Sequence, residues 1–194
     1  NKEQTTLIQY QIGNTRTSYT IPASVTYIAA SAFFDCSKLT SVTFEENSQL
    51  TSIDYNTFRG CSNLSSITIP ALVTTIGAGA FQKSGLTSIT IPNLVTLIDG
   101  SAFRECTKLI SVTFEENSQL TTIVGNNAFN GCSSLNSITI PNSVTTIDLN
   151  AFLDSGLTEA RIAATRLGQP NFPSAFGANQ TIGGKTGVNI IELA

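Results

Sequence analysis

The sequence predicts a single solenoid of stacked β coils, and two observations support this fold class. The eleven residues SVTFEENSQLT, from Ser41 to Thr51, recur unchanged from Ser111 to Thr121. A shorter motif recurs six times at spacings of 22 to 26 residues, and repeats of this period are typical of solenoids. One such repeat is too short to bury its own apolar side chains, so it must stack on its neighbours.

A phenylalanine in each repeat fixes the register of the units. These phenylalanines are Phe33, Phe58, Phe81, Phe103, Phe129 and Phe152. Each unit reads approximately L-x-S-I-T-I-P-x-x-V-T-x-I-x-x-x-A-F-x-x-C-x-x, and residues 16–85 are duplicated as 86–156. The predicted organisation is an N-terminal cap (1–15), six units (16–38, 39–63, 64–85, 86–108, 109–134 and 135–156), and a degenerate seventh unit with a C-terminal cap (157–194).

Within a unit, apolar and polar residues alternate as they do in a half-buried strand. Ile67 and Ile69 fall on one face, and Ser66 and Thr68 fall on the other. Pro70 follows and has no N–H to donate, so it marks the end of pairing. The V-T-x-I segment predicts a second short strand, and no segment has the length and caps of an ordinary α-helix.

Apolar residues at both ends of the chain predict caps that cover the solenoid. The segment TLIQYQI alternates Ile8, Tyr10 and Ile12, which predicts a strand over the first coil. The C-terminal cap is expected to use Ile182, Val188, Ile190, Ile191 and Leu193. Such covering segments keep the open ends of a solenoid soluble.

The repeating motif resembles the BspA-like class of leucine-rich repeats. The resemblance implies a right-handed leucine-rich-repeat solenoid, mostly β, with a parallel sheet on its concave side and short strands, turns or 3-10 segments on its convex side. It also implies a cell-surface or secreted protein that attaches to host cells, matrix glycoproteins or other bacteria, without catalytic residues.

Two departures from the repeat motif are visible. Units 2 and 5 replace the I-P dipeptide with FEENSQ, and the seventh unit has Ala160 and Arg161 where isoleucine and threonine are expected, so the solenoid is expected to change into a cap there.

Composition and spacing disfavour several functional classes. Only 12% of the residues are charged, the net charge is −3 and no basic stripe is visible, so no nucleic-acid partner is expected. No apolar run approaches the length of a membrane span, so no direct membrane insertion is expected. The chain has no histidine, and its cysteines lack close metal-ligand spacing, so no catalytic site, metal site or cofactor is predicted.

The four cysteines share one slot of the repeat, three residues after the phenylalanine. Ser84 and Ser155 occupy this slot in units 3 and 6. A residue fixed by the repeat register is most simply a small buried group, so reduced structural thiols are predicted over disulfides. The residues concerned are Cys36, Cys61, Cys106 and Cys132.

The outward-facing strand positions are the main candidates for binding. They form continuous columns of hydroxyl side chains along the predicted concave face, and solenoids commonly use such faces for recognition. The candidates are Ser41, Thr43, Ser66, Thr68, Ser88, Thr90, Ser111, Thr113, Ser137 and Thr139. Threonine also suits any exposed strand position, and block duplication spreads any residue, so the columns have a purely structural interpretation as well.

The acidic pairs Glu45–Glu46 and Glu115–Glu116 in the two expanded loops are the second candidates. Stacking places these loops three coils apart, roughly 14 Å along one edge at the strand spacing of parallel sheets. They are either matched contacts for a basic or calcium-bridged partner or solvated loops copied by duplication. Glycosidase chemistry needs carboxylates about 5–9.5 Å apart, which this separation exceeds.

The function expected is a non-enzymatic surface or secreted binding module of the adhesin type, with a protein or glycoprotein ligand. The first alternative is a structural spacer that displays another part of a longer protein. A remote alternative is an ice-binding solenoid that uses its threonine array. The adjacent serine column and the expected concave curvature both disfavour ice binding.

Overall fold

The computed structural model describes residues 5–10, 15–124, 126–163, 181–182 and 184–193. These residues form a parallel-strand solenoid of about seven turns, which confirms the predicted fold class. Each regular coil contains one strand of a first sheet, a connecting loop, one strand of a second sheet and a turn, here called the convex turn, that contains the repeat phenylalanine. None of the described segments is a helix of the length and apolar character that crossing a bilayer requires.

The first sheet contains the S-I-T-I strands of the repeat. The strands are β2 (Ser18–Ile21), β4 (Ser41–Phe44), β6 (Ser66–Ile67), β8 (Ser88–Ile91), β10 (Ser111–Phe114), β12 (Ser137–Thr139), β14 (Glu159–Ala163) and β17 (Asn189–Leu193). Their hydrogen-bonded groups are β2-β4-β6, β10-β8 and β12-β14-β17, and contacts of β6 with β8 and of β10 with β12 join the groups along one face. All the described pairs are parallel and in repeat register, as in Ser88↔Ser111.

The second sheet contains the V-T-x-I segments as two-residue parallel strands. The strands are β1 (Thr6–Leu7), β3 (Tyr27–Ile28), β5 (Ser52–Ile53), β7 (Thr75–Ile76), β9 (Leu97–Ile98), β11 (Thr122–Ile123) and β13 (Thr146–Ile147). Their order is β13-β11-β9-β7-β5, and the β1-β3 pair lies beside β5 through the contact of β3 with β5. The remaining strands, β15 (Thr181–Ile182) and β16 (Lys185–Thr186), form an antiparallel pair.

The convex turns of successive coils are joined by three parallel files of backbone hydrogen bonds. In the central file, the N–H of each repeat phenylalanine donates to a carbonyl of the next coil, as Phe58 does to Ala80 at 2.7 Å. The flanking files are formed in the same way, as by Asn56 with Ala78 at 3.0 Å and Gly60 with Gln82 at 2.8 Å. Each of these N–H groups points towards the C-terminal neighbour.

Two positions in every convex turn have positive φ. The first precedes the A-F pair and the second lies two residues after the phenylalanine, as in Asn127 (φ 72) and Gly131 (φ 71) of unit 5. Glycine and asparagine tolerate this left-handed conformation best, which explains why they recur at these positions. The alternation of backbone conformation turns every second N–H towards the next coil.

A stack of phenylalanine rings runs through the core. Each ring from Phe33 to Phe152 is completely buried, and neighbouring ring centroids lie 4.9 to 5.5 Å apart. Because each ring stacks on a ring of a neighbouring coil, the stack couples adjacent coils directly. The predicted register of the repeat is confirmed.

The four cysteines are free and buried, as predicted. The thiol of Cys61 donates a hydrogen bond to the carbonyl oxygen of Phe33 in the preceding coil at 3.1 Å. Cys106 and Cys132 make the same contact with the phenylalanine carbonyls of their own preceding coils, at 3.0 and 3.1 Å. The hydroxyl of Ser84 contacts the thiol of Cys106 at 3.3 Å, so serine fits the cysteine slot. The slot therefore holds a small buried donor.

The prediction for the N-terminal segment was wrong in its register. Strand β1 contains only Thr6 and Leu7 and pairs with β3 of the second sheet, and Ile8 is 74% exposed. Tyr10 stacks on Phe33 with centroids 5.3 Å apart and donates its N–H to Ala32, so it occupies the phenylalanine position. The segment is thus the second half of a coil, and Ile12 lies outside the described residues.

The C-terminal segment extends the first sheet. Strand β17 pairs in parallel with β14, in the register Ala160↔Ile190 and Arg161↔Ile191. The expected change into a cap at Ala160 and Arg161 does not occur, because β14 continues the first sheet from β12. Of the five residues expected in the cap, Ile182, Val188 and Ile190 are buried, and Ile191 and Leu193 are half-buried. Residues 164–180 lie outside the described part of the chain.

Candidate binding surface

The predicted hydroxyl columns lie on the outer side of the first sheet, where they form what we call the Ser/Thr face. In β8 the burial alternates, with Ile89 and Ile91 inward and Ser88 and Thr90 outward. Of the ten predicted residues, nine are exposed and Ser41 is half-buried. The register of the strands places each serine beside a serine and each threonine beside a threonine.

Some threonines of this face bond to each other across adjacent coils. The hydroxyl oxygens of Thr20 and Thr43 lie 2.9 Å apart, and those of Thr90 and Thr113 lie 3.0 Å apart. The second pair repeats the first at the equivalent place in the duplicated block. These bonds limit the rotation of the hydroxyls, and either oxygen of each pair can be the donor.

The two expanded loops begin where the first-sheet strand of units 2 and 5 ends. We call residues 45–49 and 115–119 the edge loops. Leu50 and Leu120 are buried and return the chain to the core position that valine occupies in the other units. The interval from the outward threonine to this core residue is two residues longer than in the shorter units. The extra residues project as a wall beside the Ser/Thr face.

The first glutamate of each edge loop is fixed by a backbone hydrogen bond to the preceding coil. Glu45 accepts from the N–H of Ala23 at 3.0 Å, and Glu115 accepts from the N–H of Asn93 at the same distance. Ala23 and Asn93 follow the prolines that end β2 and β8, where a backbone donor has no strand partner. Both glutamates therefore have a structural role as acceptors for the proline turns, which was not predicted from the sequence.

The edge-loop carboxylates have no cationic partner within the described chain. The ion pairs of the described residues are Lys83–Glu105, Arg104–Glu105 and Arg161–Glu159, none of which involves an edge loop. Glu46 and Glu116 are exposed beside the anchored glutamates. The edge loops are thus a source of unneutralised negative charge at the margin of the Ser/Thr face.

Each edge loop forms one wall of a groove, and the proline turn of the next coil forms the opposite wall. The first groove encloses about 750 Å³ and lies between the loop at Glu45 and the turn at Pro70. The second groove encloses about 520 Å³ between the loop at Glu115 and the turn at Pro141. These grooves were not predicted from the sequence, although the longer interval in units 2 and 5 was the available signal. Glu115 also lines the first groove, so each edge loop contributes a glutamate to it.

Among the described residues, few side chains are suited to hold a catalytic metal ion or to act as a nucleophile. No group of three or more histidine, cysteine, aspartate or glutamate side chains among them could hold a metal ion. Burial raises the pKa of the Cys61 thiol to about 12 and that of Cys106 to about 11, and it also raises the pKa of Cys36 and Cys132. Thiols in this state are poor nucleophiles because the thiolate is the reactive form.

A family model described as a BspA type leucine rich repeat region matches the chain in six copies, over residues 10–123, 47–158 and 118–174. The chain belongs to the BspA-type leucine-rich repeat family. This membership confirms the resemblance inferred from the repeat motif, and BspA-type solenoids are generally non-catalytic. Among curated proteins, no match was found.

Solved structures of similar proteins agree with the BspA-type assignment. A leucine-rich repeat protein from Bacteroides ovatus matches with a TM-score of 0.62 and 25% identity, over 91% of this chain and 51% of that protein. A leucine-rich repeat protein from Eubacterium ventriosum gives 0.61 and 25%, over 81% and 48%. The pneumococcal vaccine antigen PcpA gives 0.53 and 28%, over 78% and 31%. The chain spans about half the length of the first two and a third of PcpA.

Proposed function

We propose that this chain is a non-enzymatic binding module of a cell-surface or secreted protein, which attaches to a protein or glycoprotein ligand through the Ser/Thr face. The observation that carries the proposal is the continuous array of exposed hydroxyls on a sheet whose inner side is fully packed. A rigid, uncharged polar face offers many hydrogen-bonding groups without the cost of removing charges from water.

The family and one relative support the proposed location. BspA-type repeats define a surface-type family. PcpA, at 28% identity, is described as a vaccine antigen. An effective antigen must be accessible to antibodies, so a relative of this kind supports an exposed location for the present chain.

A binding role also fits the chemistry of the side chains better than an enzymatic one. The chain contains no histidine, so an imidazole general base is not available. The thiols are buried with raised pKa values, and Glu45 and Glu115 already accept backbone hydrogen bonds. These groups stabilise the fold rather than activate a nucleophile.

The test is binding of the purified chain to immobilised fibronectin, fibrinogen, laminin and collagen. The face variant combines Ser88→Arg, Thr90→Arg and Ser111→Arg, three exposed positions of the Ser/Thr face. The control variant places the same charge at Ser37, Ser62 and Thr107, which are exposed at the convex turns. We expect saturable binding that weakens about tenfold or more in the face variant and little in the control.

Equal binding by the two variants would exclude the Ser/Thr face as the contact surface. Absence of binding to all four ligands would favour the alternative role of a spacer that displays another part of a longer protein. The ice-binding alternative is disfavoured because threonine hydroxyls on this face bond to each other rather than only to water. A measurement of thermal hysteresis tests it separately.

A further inference from the structure

The first groove combines an apolar floor with an acidic rim. Its floor contains the half-buried Phe44, the buried Ile69, the ring of Pro70 and Leu72, whose side chain is 40% exposed. Large side chains with this exposure are available for contact with a partner. The volume of about 750 Å³ is within the range of sites that hold ligands.

The acidic rim of the first groove comes from both edge loops. Glu45 lies on one wall and Glu115 reaches the groove from the other block. A smaller depression of about 370 Å³ shares Thr68, Ile69 and Glu115 with the first groove, so the concavity continues across the next coil. No lysine or arginine lines either cavity, and the rim charge is not neutralised from within.

The rim carboxylates are held in place before any partner arrives. The bonds from Ala23 to Glu45 and from Asn93 to Glu115 each use one carboxylate oxygen, Oε2. The second oxygen of each carboxylate remains available as an acceptor. Preorganised groups lose less conformational entropy when a ligand binds. The attraction of these carboxylates for a cation is therefore offset less by the cost of ordering their side chains.

We propose that the first groove binds an extended peptide segment of a partner protein in which an apolar side chain stands next to lysine or arginine. The apolar side chain packs on Leu72 and Pro70, and the basic side chain pairs with Glu45 or Glu115. Thr43 and Thr68 belong both to the groove and to the Ser/Thr face, so a bound segment continues onto that face. The inference deepens the proposed function and rests on it for the partner class.

The second groove provides an internal comparison for this proposal. Duplication gives it the same wall and proline turn, but Asn142 and Ser143 replace Ala71 and Leu72. Neither replacement offers the apolar contact that Leu72 provides, which disfavours an apolar ligand there. The second groove also has one glutamate in its lining where the first has two, so the proposal predicts that the first groove binds the segment and the second does not.

The experiment uses fluorescein-labelled decapeptides in which one leucine is flanked by two arginines and the remaining positions are randomised among glycine, serine and threonine. Matched pools replace the arginines with glutamates or the leucine with serine. Fluorescence anisotropy at low and moderate salt measures binding to the complete chain. We expect the arginine–leucine pool to bind at least about tenfold more tightly than either matched pool, with weaker binding at higher salt.

Four variants locate the site. Leu72→Ser converts the first groove towards the second and should weaken binding about tenfold, whereas Ser143→Leu should create additional binding. Glu45→Gln keeps an oxygen acceptor for Ala23 but removes the charge, so it should weaken binding about threefold and reduce the salt dependence. Glu46→Gln removes the same charge from a residue that does not line the groove and serves as the matched control.

Absence of a preference for the arginine–leucine pool would overturn the proposal. Unchanged binding in Leu72→Ser, or equal effects of Glu45→Gln and Glu46→Gln, would also overturn it. The matrix-protein assay distinguishes this failure from failure of the proposed function. Matrix binding that is lost in the face variant but unaffected by Leu72→Ser would retain the Ser/Thr face and reject the groove. Peptide binding without matrix binding would retain the groove and reject those ligands.

Discussion

The ring of Phe103 stacks on the ring of Phe129 with centroids 5.0 Å apart and planes inclined by 5°. On its other side Phe103 stacks on Phe81 at 5.3 Å. Phe103 therefore contributes to two interfaces between coils, and such interfaces determine the stability of a solenoid. The consequences for stability can be measured.

Replacing Phe103 with alanine should lower the free energy of unfolding by about 3–5 kcal/mol, because it leaves a cavity between two stacked rings. Urea denaturation measures the change. Phe34→Ala is the control, since this half-buried ring lies off the stack and contacts Arg59. A similar loss in both variants would show that the stack adds nothing beyond ordinary burial.

The cysteine thiols should not react with a water-soluble disulfide reagent while the protein is folded. All four are buried and have raised pKa values, so both access and the thiolate fraction are low. Four equivalents should react in denaturing urea. Rapid release of one or more equivalents from the native protein would contradict the burial seen in the structure.

Stability should fall as the pH rises above about 9. The folded-state pKa values of Cys61, about 12, and Cys106, about 11, exceed the ordinary value of 9.0. Between pH 9 and 11 the unfolded chain therefore binds fewer protons than the folded chain, and the free energy of unfolding decreases with pH. Each thiol contributes a slope of up to about 1.4 kcal/mol per pH unit.

The double variant Cys61→Ser, Cys106→Ser separates this effect from other titrations, because serine does not ionise in this range. Its unfolding free energy, measured in urea between pH 8 and 11, should depend less steeply on pH than that of the original chain. Identical slopes would show that these two thiols are not protected from ionisation.

Removing the carboxylate of Glu45 should loosen the turn that follows Pro22. Glu45→Ala leaves the Ala23 N–H without its acceptor, so that amide should exchange faster and the chain should lose about 0.5–1.5 kcal/mol of stability. Glu45→Gln retains an acceptor and should preserve the protection. Hydrogen exchange measures both variants, and equal exchange in Glu45→Ala and the original chain would exclude the anchoring role.

The regular coils were predictable because one local signal determined each element. The alternation around Ile89 specified which side chains enter the core, and the recurring Phe103 position specified the register between coils. Both features depend on the residue pattern within one unit. The slot shared by Cys106 and Ser84 likewise indicated a small buried group before its hydrogen bond was known.

The ends and the grooves were less predictable for physical reasons. The alternation of Ile8 and Tyr10 suggested one strand, but stacking on Phe33 favours placing Tyr10 in the ring column, and Ile8 turns outward. The grooves depend on how an edge loop lies over a neighbouring coil. Glu115 illustrates this dependence, because its neighbours across the first groove are distant in sequence and no local pattern indicates them.

The three files of hydrogen bonds in the convex turns also make the solenoid electrically polar. As in an α-helix, peptide units in each file are aligned head to tail, so their dipoles add, whereas the strand dipoles of the sheets largely cancel. The N–H groups point towards the C-terminal coil and the carbonyls towards the N-terminal coil. Within the described coils, the dipole of the convex side is therefore directed along the solenoid axis, from N-terminal coils with partial negative charge towards C-terminal coils with partial positive charge.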